Sequence, residues 1–340
     1  MKFKAHKFCS FLAKASVKCR NLRNLTPMFE NQVKKQIFEK AAYIHRKQNG
    51  IIRISKVMFS DVDHKLAELK LKKNDFELKT RPYFYDYLAD GTKEEETVWY
   101  VNFASEELFG YYDGNGFSQD EIQAVEMPLL VSVRIYLESL KDEGFSTRTV
   151  EKVFSEESGK RVLKPTPFLF ENVSLWVCVN TSPKLKDGTQ ASIYGWKFAG
   201  ASKEASEAGI SLVSQDFKLN VISISAPAGG RDFYKEAEIQ QIVESLVSSF
   251  SAAVKQTREQ KKKKCIIHSG NWGAGSGGNY ELIYLCQIYA ASVCGVDQLI
   301  LHDCKTQILQ SVLKKYEEIN EEGSLIEFME AVRSFGFMWN

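Results

Sequence analysis

The sequence predicts an α/β domain with a mixed sheet flanked by helices. Strand-like apolar runs alternate with helical ones through most of the chain. Two glycine-rich turns each join the end of a strand to the start of a helix. The composition, 44% hydrophobic and 26% charged over 340 residues, is that of a folded protein with a large core.

Residues 1–25 read as a basic arm: the seven basic side chains from Lys2 to Arg23 precede the first acidic one, Glu30. Residues 26–80 read as a helical accessory region. Thr26-Pro27 resembles a helix start, and Phe29, Val33, Ile37, Ala41 and Ile44 follow helical spacing up to Gly50. A second helix is expected from Ser60 to about Leu71. The main domain is expected over 81–340. Its strands fall at 83–88, 98–103, 175–179, 191–198, 221–225, 265–268 and 298–302, and its helices at 119–127, 235–255 and 280–294. Segments 139–164 and 184–189 read as loops, and Lys261 to Lys264 as a solvated helix end.

Several classes are excluded by composition. Lys plus Arg at 45 against Asp plus Glu at 43 gives a net charge of +2, which makes no bulk case for nucleic acid. The longest apolar stretch, 282–296, is too short to span a bilayer, so no integral membrane association is expected. The seven cysteines are scattered without a Cys-x-x-Cys pair, which argues against a zinc ribbon and for a reducing, cytoplasmic setting. His268 and His302 lack metal-ligand spacing, so no metal is expected.

The first glycine segment runs from Val101-Asn102-Phe103-Ala104-Ser105 through Gly110, Gly114 and Gly116 to Ser118-Gln119-Asp120-Glu121-Ile122. Glycines let backbone N–H groups approach a ligand, and acids suit the first turn of a helix. Ser118-x-x-Glu121 is equally a capping box. The second runs from Cys265-Ile266-Ile267-His268 into Ser269-Gly270-Asn271-Trp272-Gly273-Ala274-Gly275-Ser276-Gly277-Gly278, with five glycines in the nine positions 270–278. Such a turn before a helix makes an anion cradle. Gly273-x-Gly275-x-x-Gly278 also satisfies the dinucleotide fingerprint, with Asp303 as a ribose ligand. Too little chain follows Asp303, however, to complete that fold. No Gly-Lys-Ser/Thr of a P-loop is present.

Together the two segments resemble the poly(ADP-ribose) glycohydrolase-type macrodomains over residues 81–304. The resemblance implies a macrodomain-like fold, ADP-ribose as ligand or product, no cofactor, and Glu121 as general acid/base with Asp120 beside it. It further implies ligand contacts from Asn102, Ser105, Gly114, Gly116 and Gln119, and from Gly270, Asn271, Trp272, Gly273, Gly275, Gly277 and Gly278 around the diphosphate. Glu94, in the turn Gly91-Thr92-Lys93-Glu94-Glu95, matches the residue that reads the adenine amino group. Tyr194 and Trp196 lie where the family stacks adenine, and Asp303 is placed to enter the pocket.

The departures are specific. The family's Gly-Gly-Gly triplet is Phe109-Gly110-Tyr111, Asn102 replaces an Asp, Ser105 an Asn, and Asp120 the first Glu of the acidic pair. They resemble bacterial effector relatives that remove single ADP-ribose units from modified ubiquitin, which implies delivery into a host cell. The expected function is an ADP-ribosylhydrolase acting on a modified protein, with ubiquitin one candidate. The alternatives are a non-catalytic ADP-ribose reader and an NAD-using protein. Phe109 and Tyr111 are expected to crowd the scissile linkage.

Overall fold

A computed structural model describes residues 9–22, 25–45, 49–59, 71–90, 93–141, 145–155, 159–319 and 322–340. In chain order the strands are β1 (Cys9–Lys18), β2 (Ile51–Phe59), β3 (Leu71–Lys72), β4 (Glu77–Arg81), β5 (Glu96–Ala104), β6 (Val150–Ser155), β7 (Lys160–Pro165), β8 (Phe168–Val179), β9 (Ile210–Ser225), β10 (Lys264–Ser269), β11 (Gln298–His302) and β12 (Glu322–Gly323). The helices are α1 (Cys19–Leu22), α2 (Gln32–His45), α3 (Tyr87–Asp90), α4 (Gln119–Glu126), α5 (Leu129–Ser139), α6 (Lys203–Ala208), α7 (Glu236–Glu259), α8 (Tyr280–Cys294), α9 (Thr306–Glu318) and α10 (Leu325–Ser334).

Eight strands form one sheet in the order β1-β2-β8-β9-β5-β10-β11-β4. The five from β9 to β4 are parallel, whereas β8, β2 and β1 join antiparallel. This is the expected mixed α/β architecture. Alternation along β5 decides the layers. Trp99 and Val101 face the core built by α7 and α8, while Val98 and Tyr100 face the core under α2, α4 and α5. Helix α8 is buried nearly all round, which explains its unbroken apolar run.

Several local expectations give way. The helical reading of 26–80 holds for α2, but β2 and β4 both pair within the main sheet. β1 pairs along its length with β2, so residues 9–18 are an edge strand and not a detached arm. The alternating apolar residues of Ile51–Phe59, among them Ile52 and Ile54, carry that pairing signal. α2 begins at Gln32 and not at Pro27, because Asn31 Oδ1 accepts from the N–H groups of Val33 and Lys34 and so caps it. The helix expected from Ser60 lies mostly outside the described residues. The strand expected at 83–88 is replaced by bends and α3, its pairing role taken by β4 just upstream. The loop expected at 139–164 contains the hairpin β6–β7. No strand forms at 191–198: residues 191–194 are irregular and a 3₁₀ turn, Gly195–Gly200, begins at Gly195 with φ +62.

Candidate active site

The loops after β4, β5, β10 and β11 all leave the same edge of the sheet, because these strands run parallel. The first glycine loop leaves β5 and returns as α4. Gln119 fixes this junction: its Nε2 donates to Val101 O (3.1 Å) and its Oε1 accepts from Phe103 N–H (2.7 Å). Its amide therefore continues the β5 ladder where β10 has turned away, and serves the backbone.

Asp120 and Glu121 are buried, at 9% and 6% exposure. Ser118 N–H donates to Glu121 Oε2 at 2.6 Å, which is the carboxylate half of a capping box. Ser118 Oγ lies 2.7 Å from Asp120 Oδ1 and 2.6 Å from Glu121 Oε2. The Ser118 hydroxyl is thus shared between the two carboxyl groups and bridges them by hydrogen bonds. Burial pushes Asp120 up to about 6, and the neighbouring charge of Glu121 adds to the shift.

The triplet position departs from expectation. Phe109 sits at φ +51 and is 1% exposed, with its ring 6.1 Å from Phe170. Its side chain points into the core and does not crowd the site; its carbonyl accepts from Arg134 Nη1. A phenylalanine holds a left-handed backbone here because its ring is anchored. The loop's bulk comes from Tyr111 alone, 67% exposed. Ser105 turns back on its own loop, with Oγ donating to Glu107 O. Asn102 is fully buried, and neither atom of its amide has a partner among the described residues. Gly114 has nothing nearer than Tyr111 O at 3.9 Å.

The second glycine loop leaves β10 and enters α8. A Cβ at Gly270 would fall 2.6 Å from His302 O, and one at Gly278 2.5 Å from Gly273 O. Gly273 itself adopts φ +72. Close packing therefore accounts for three of the glycines. A Cβ at Gly275 would meet nothing within 4 Å, while its N–H donates to Asn271 O. Trp272 is not available as an aromatic ligand contact: it is buried, and its Nε1 donates to Ile224 O. Asn271 Nδ2 donates to Asp303 O at 3.0 Å, which ties this loop to the end of β11. The last residues of the chain brace the loop's far side, where Asn340 N–H donates to Gly277 O and Trp339 stacks on Tyr234.

Tyr194 brings the parts together. Its phenol is pushed up to about 12 by burial, and the carboxylates of Asp120, Asp303 and Glu121 all act on it. Its ring lies 5.2 Å from that of Phe84. Phe84 also borders a narrow recess of about 10 Å³, lined among others by Tyr85, Gln123 and Glu126. Trp196 stands 81% exposed on the rim.

Glu94 is misplaced by the sequence reading. It precedes β5, whereas Glu121 follows it, so the whole strand separates them. Its carbonyl accepts from Lys262 at the opposite edge of the sheet. Gly91 and Thr92 of the same turn lie outside the described residues. The segment that does border the recess is 84–87.

Two groups were missed. Lys34 of α2 is fully buried with its Nζ donating to Tyr112 O of the first glycine loop, and the signal was a lysine on the helix's own buried stripe with Ile37 and Ala41. Glu126 is buried one helical turn beyond Ile122, accepts from Tyr87 Oη and Val179 N–H, and is pushed up to about 8 by burial. His268 and His302 prove to be a structural pin. His302 Nδ1 must donate to Tyr83 O (2.9 Å), so its Nε2 accepts from His268 Nδ1 at 2.8 Å. Burial holds both neutral, near 2 for His268 and near 4 for His302.

Solved structures are similar to this chain at low identity. A poly(ADP-ribose) glycohydrolase from Thermomonospora curvata matches 78% of this chain and 82% of its own at 11% identity and a TM-score of 0.39. The same enzyme bound to the inhibitor ADP-HPD matches 80% of this chain and 93% of its own at 11% identity and a TM-score of 0.41. A poly(ADP-ribose) glycohydrolase from Deinococcus radiodurans in complex with ADP-ribose matches 94% of this chain and 98% of its own at 10% identity and a TM-score of 0.40. No protein-family model and no curated protein sequence matches the chain.

Proposed function

We propose that the protein is an ADP-ribosylhydrolase that releases ADP-ribose from a modified protein, with Glu121 as general acid/base. One observation carries this reading. A buried carboxyl pair bridged by the Ser118 hydroxyl sits at the same sheet edge as a glycine loop opening a helix. The glycine loop and the α8 N-terminus suit a diphosphate. Lys305, whose ammonium lies 3.7 Å from the centre of the Tyr280 ring, adds a cation beside it. The exposed rings of Tyr194 and Trp196 suit stacking on adenine.

With the diphosphate so held, C1 of the distal ribose faces Glu121. As the bond from C1 to the leaving atom breaks, the Glu121 carboxyl gives that atom a proton. The resulting carboxylate then takes a proton from the water that attacks C1, which restores the acid. Asp120, pushed up to about 6 by burial, stands beside Glu121 in the same first helical turn. Tyr111 and Trp196 on the rim favour a single unit on a protein carrier, and modified ubiquitin is the carrier that the sequence resemblance suggests.

A reader that binds without turnover is the second reading. It is favoured by the engagement of Glu121 Oε2 in the capping box. Incubation with proteins mono-ADP-ribosylated on arginine, serine and glutamate, ubiquitin among them, separates the two. Release of free ADP-ribose supports the hydrolase. Binding with no release on any substrate supports the reader.

A further inference from the structure

We infer that Trp339 and Asn340 are positioning residues that hold the backbone of the second glycine loop in its anion-cradling form. This rests on the site reading above and deepens it, because it names what fixes the junction between the diphosphate loop and α8. Asn340 N–H donates to Gly277 O at 2.9 Å, and its side-chain amide donates to Gly278 O. Asn279 Nδ2 donates to Met338 O at 2.9 Å, while its Oδ1 accepts from Leu282 N–H and caps α8. A peptide unit is planar, so holding the carbonyls of Gly277 and Gly278 fixes the directions of the next two N–H groups. Gly277, at φ +95, has the freedom that makes this constraint matter.

The segment that makes these bonds is anchored away from the loop. Phe337 is buried in the core that α7 and α8 build. Tyr234 N–H donates to Phe337 O at 3.1 Å and Trp339 N–H to Asp232 O at 2.9 Å, so residues 337–339 pair antiparallel with the chain just before α7. The Trp339 ring stacks on Tyr234 with centres 4.3 Å apart and planes 11° from parallel. The same ring fills the space that a Cβ at Gly230 would need. Tyr234 Oη in turn accepts from Asn279 N–H at 3.0 Å. Trp339 therefore acts on the loop by two routes, through Tyr234 and through Asn340, and neither route needs a contact with ligand.

The test is amide hydrogen exchange of the full chain without ligand, beside ADP-ribose calorimetry and melting temperature. Trp339→Ala is expected to speed exchange across 275–280 by about tenfold, with exchange in β10 and the rest of α8 unchanged. ADP-ribose affinity is expected to fall by about tenfold, and Trp339→Phe, which keeps a stacking ring, to restore most of both. Asn340→Ala removes only the side-chain bond to Gly278 O and is expected to show a smaller change of the same kind. It keeps the comparison usable if Trp339→Ala folds poorly. Exchange at 275–280 that stays at the wild-type rate in both alanine variants, or that rises equally over the whole chain, overturns the inference. Faster loop exchange with undiminished ADP-ribose affinity also overturns it, because the two residues then serve the fold alone. A wild type that binds no ADP-ribose removes the site reading, and the exchange pattern still decides whether Trp339 and Asn340 set the loop.

Discussion

The carboxylate of Glu121 occupies the space that a side chain at Gly116 would need: a Cβ there would lie 2.5 Å from Oε1 and 2.8 Å from Oε2. The glycine loop thus closes directly onto the proposed acid. Because the clash is with the far end of a flexible side chain and not with backbone, the fold can absorb it. Gly116→Ala is expected to change the melting temperature little while it displaces the carboxylate, with turnover down about 10²-fold. Circular dichroism melting beside a release assay checks this, and full turnover in the variant contradicts it.

Asp120 gives a prediction about stability against pH. Its native pKa, raised to about 6, lies above the model-peptide value of 3.8. Between these values the folded state binds more protons than the unfolded state, so this group makes stability fall as pH rises through about 4 to 6, and its cost is constant above. Asp120→Asn removes that cost. The variant is expected to gain about 1–3 kcal/mol at pH 7.5 and to lose most of the advantage at pH 4. Urea unfolding at the two values measures it, and a destabilised variant at pH 7.5 is the opposing result.

Phe109 and Tyr111 separate a core role from a site role. Phe109→Ala empties a buried position and is expected to cost about 3–5 kcal/mol. Tyr111→Ala removes an exposed ring, costs little stability, and is expected to raise the rate on poly(ADP-ribose) chains relative to a mono-modified protein. Equal chain rates in wild type and Tyr111→Ala would remove Tyr111 as the specificity element.

Gly275 tests the diphosphate loop without disturbing the fold. Nothing lies within 4 Å of its missing side chain, so Gly275→Val should fold normally and block the backbone's approach to a ligand. Calorimetry with ADP-ribose is expected to show at least a tenfold weaker affinity. Unchanged affinity would move the diphosphate elsewhere.

The central strands and the acid helix were legible because their signals are local. β11 and α8 occupy the predicted residues, and α4 opens at the predicted Gln119. Their capping and apolar patterns do not depend on distant partners. What was hidden depends on the tertiary arrangement. Lys34 reads as a polar interruption of the Ile37–Ala41 stripe until its Nζ is seen to donate to Tyr112 O of the first glycine loop. Glu94 matched a family turn in sequence, but only strand direction shows that it lies at the wrong edge of the sheet. Phe109 looked like an obstruction because nothing local says where its ring points. β1 and β2 carry strand-like residues whose pairing is decided by the edge of β8.

The account stands most directly on Glu121. Replacement by glutamine keeps the shape and much of the capping geometry but cannot cycle a proton. Turnover of a mono-ADP-ribosylated protein by Glu121→Gln should therefore be measured together with ADP-ribose affinity and melting temperature. The expected result is a loss of about 10²–10⁴-fold in rate, with affinity unchanged and melting lowered by no more than a lost cap allows, about 1 kcal/mol. Undiminished turnover in a variant whose only defect is a lower melting point would contradict the account and return Glu121 to the capping box.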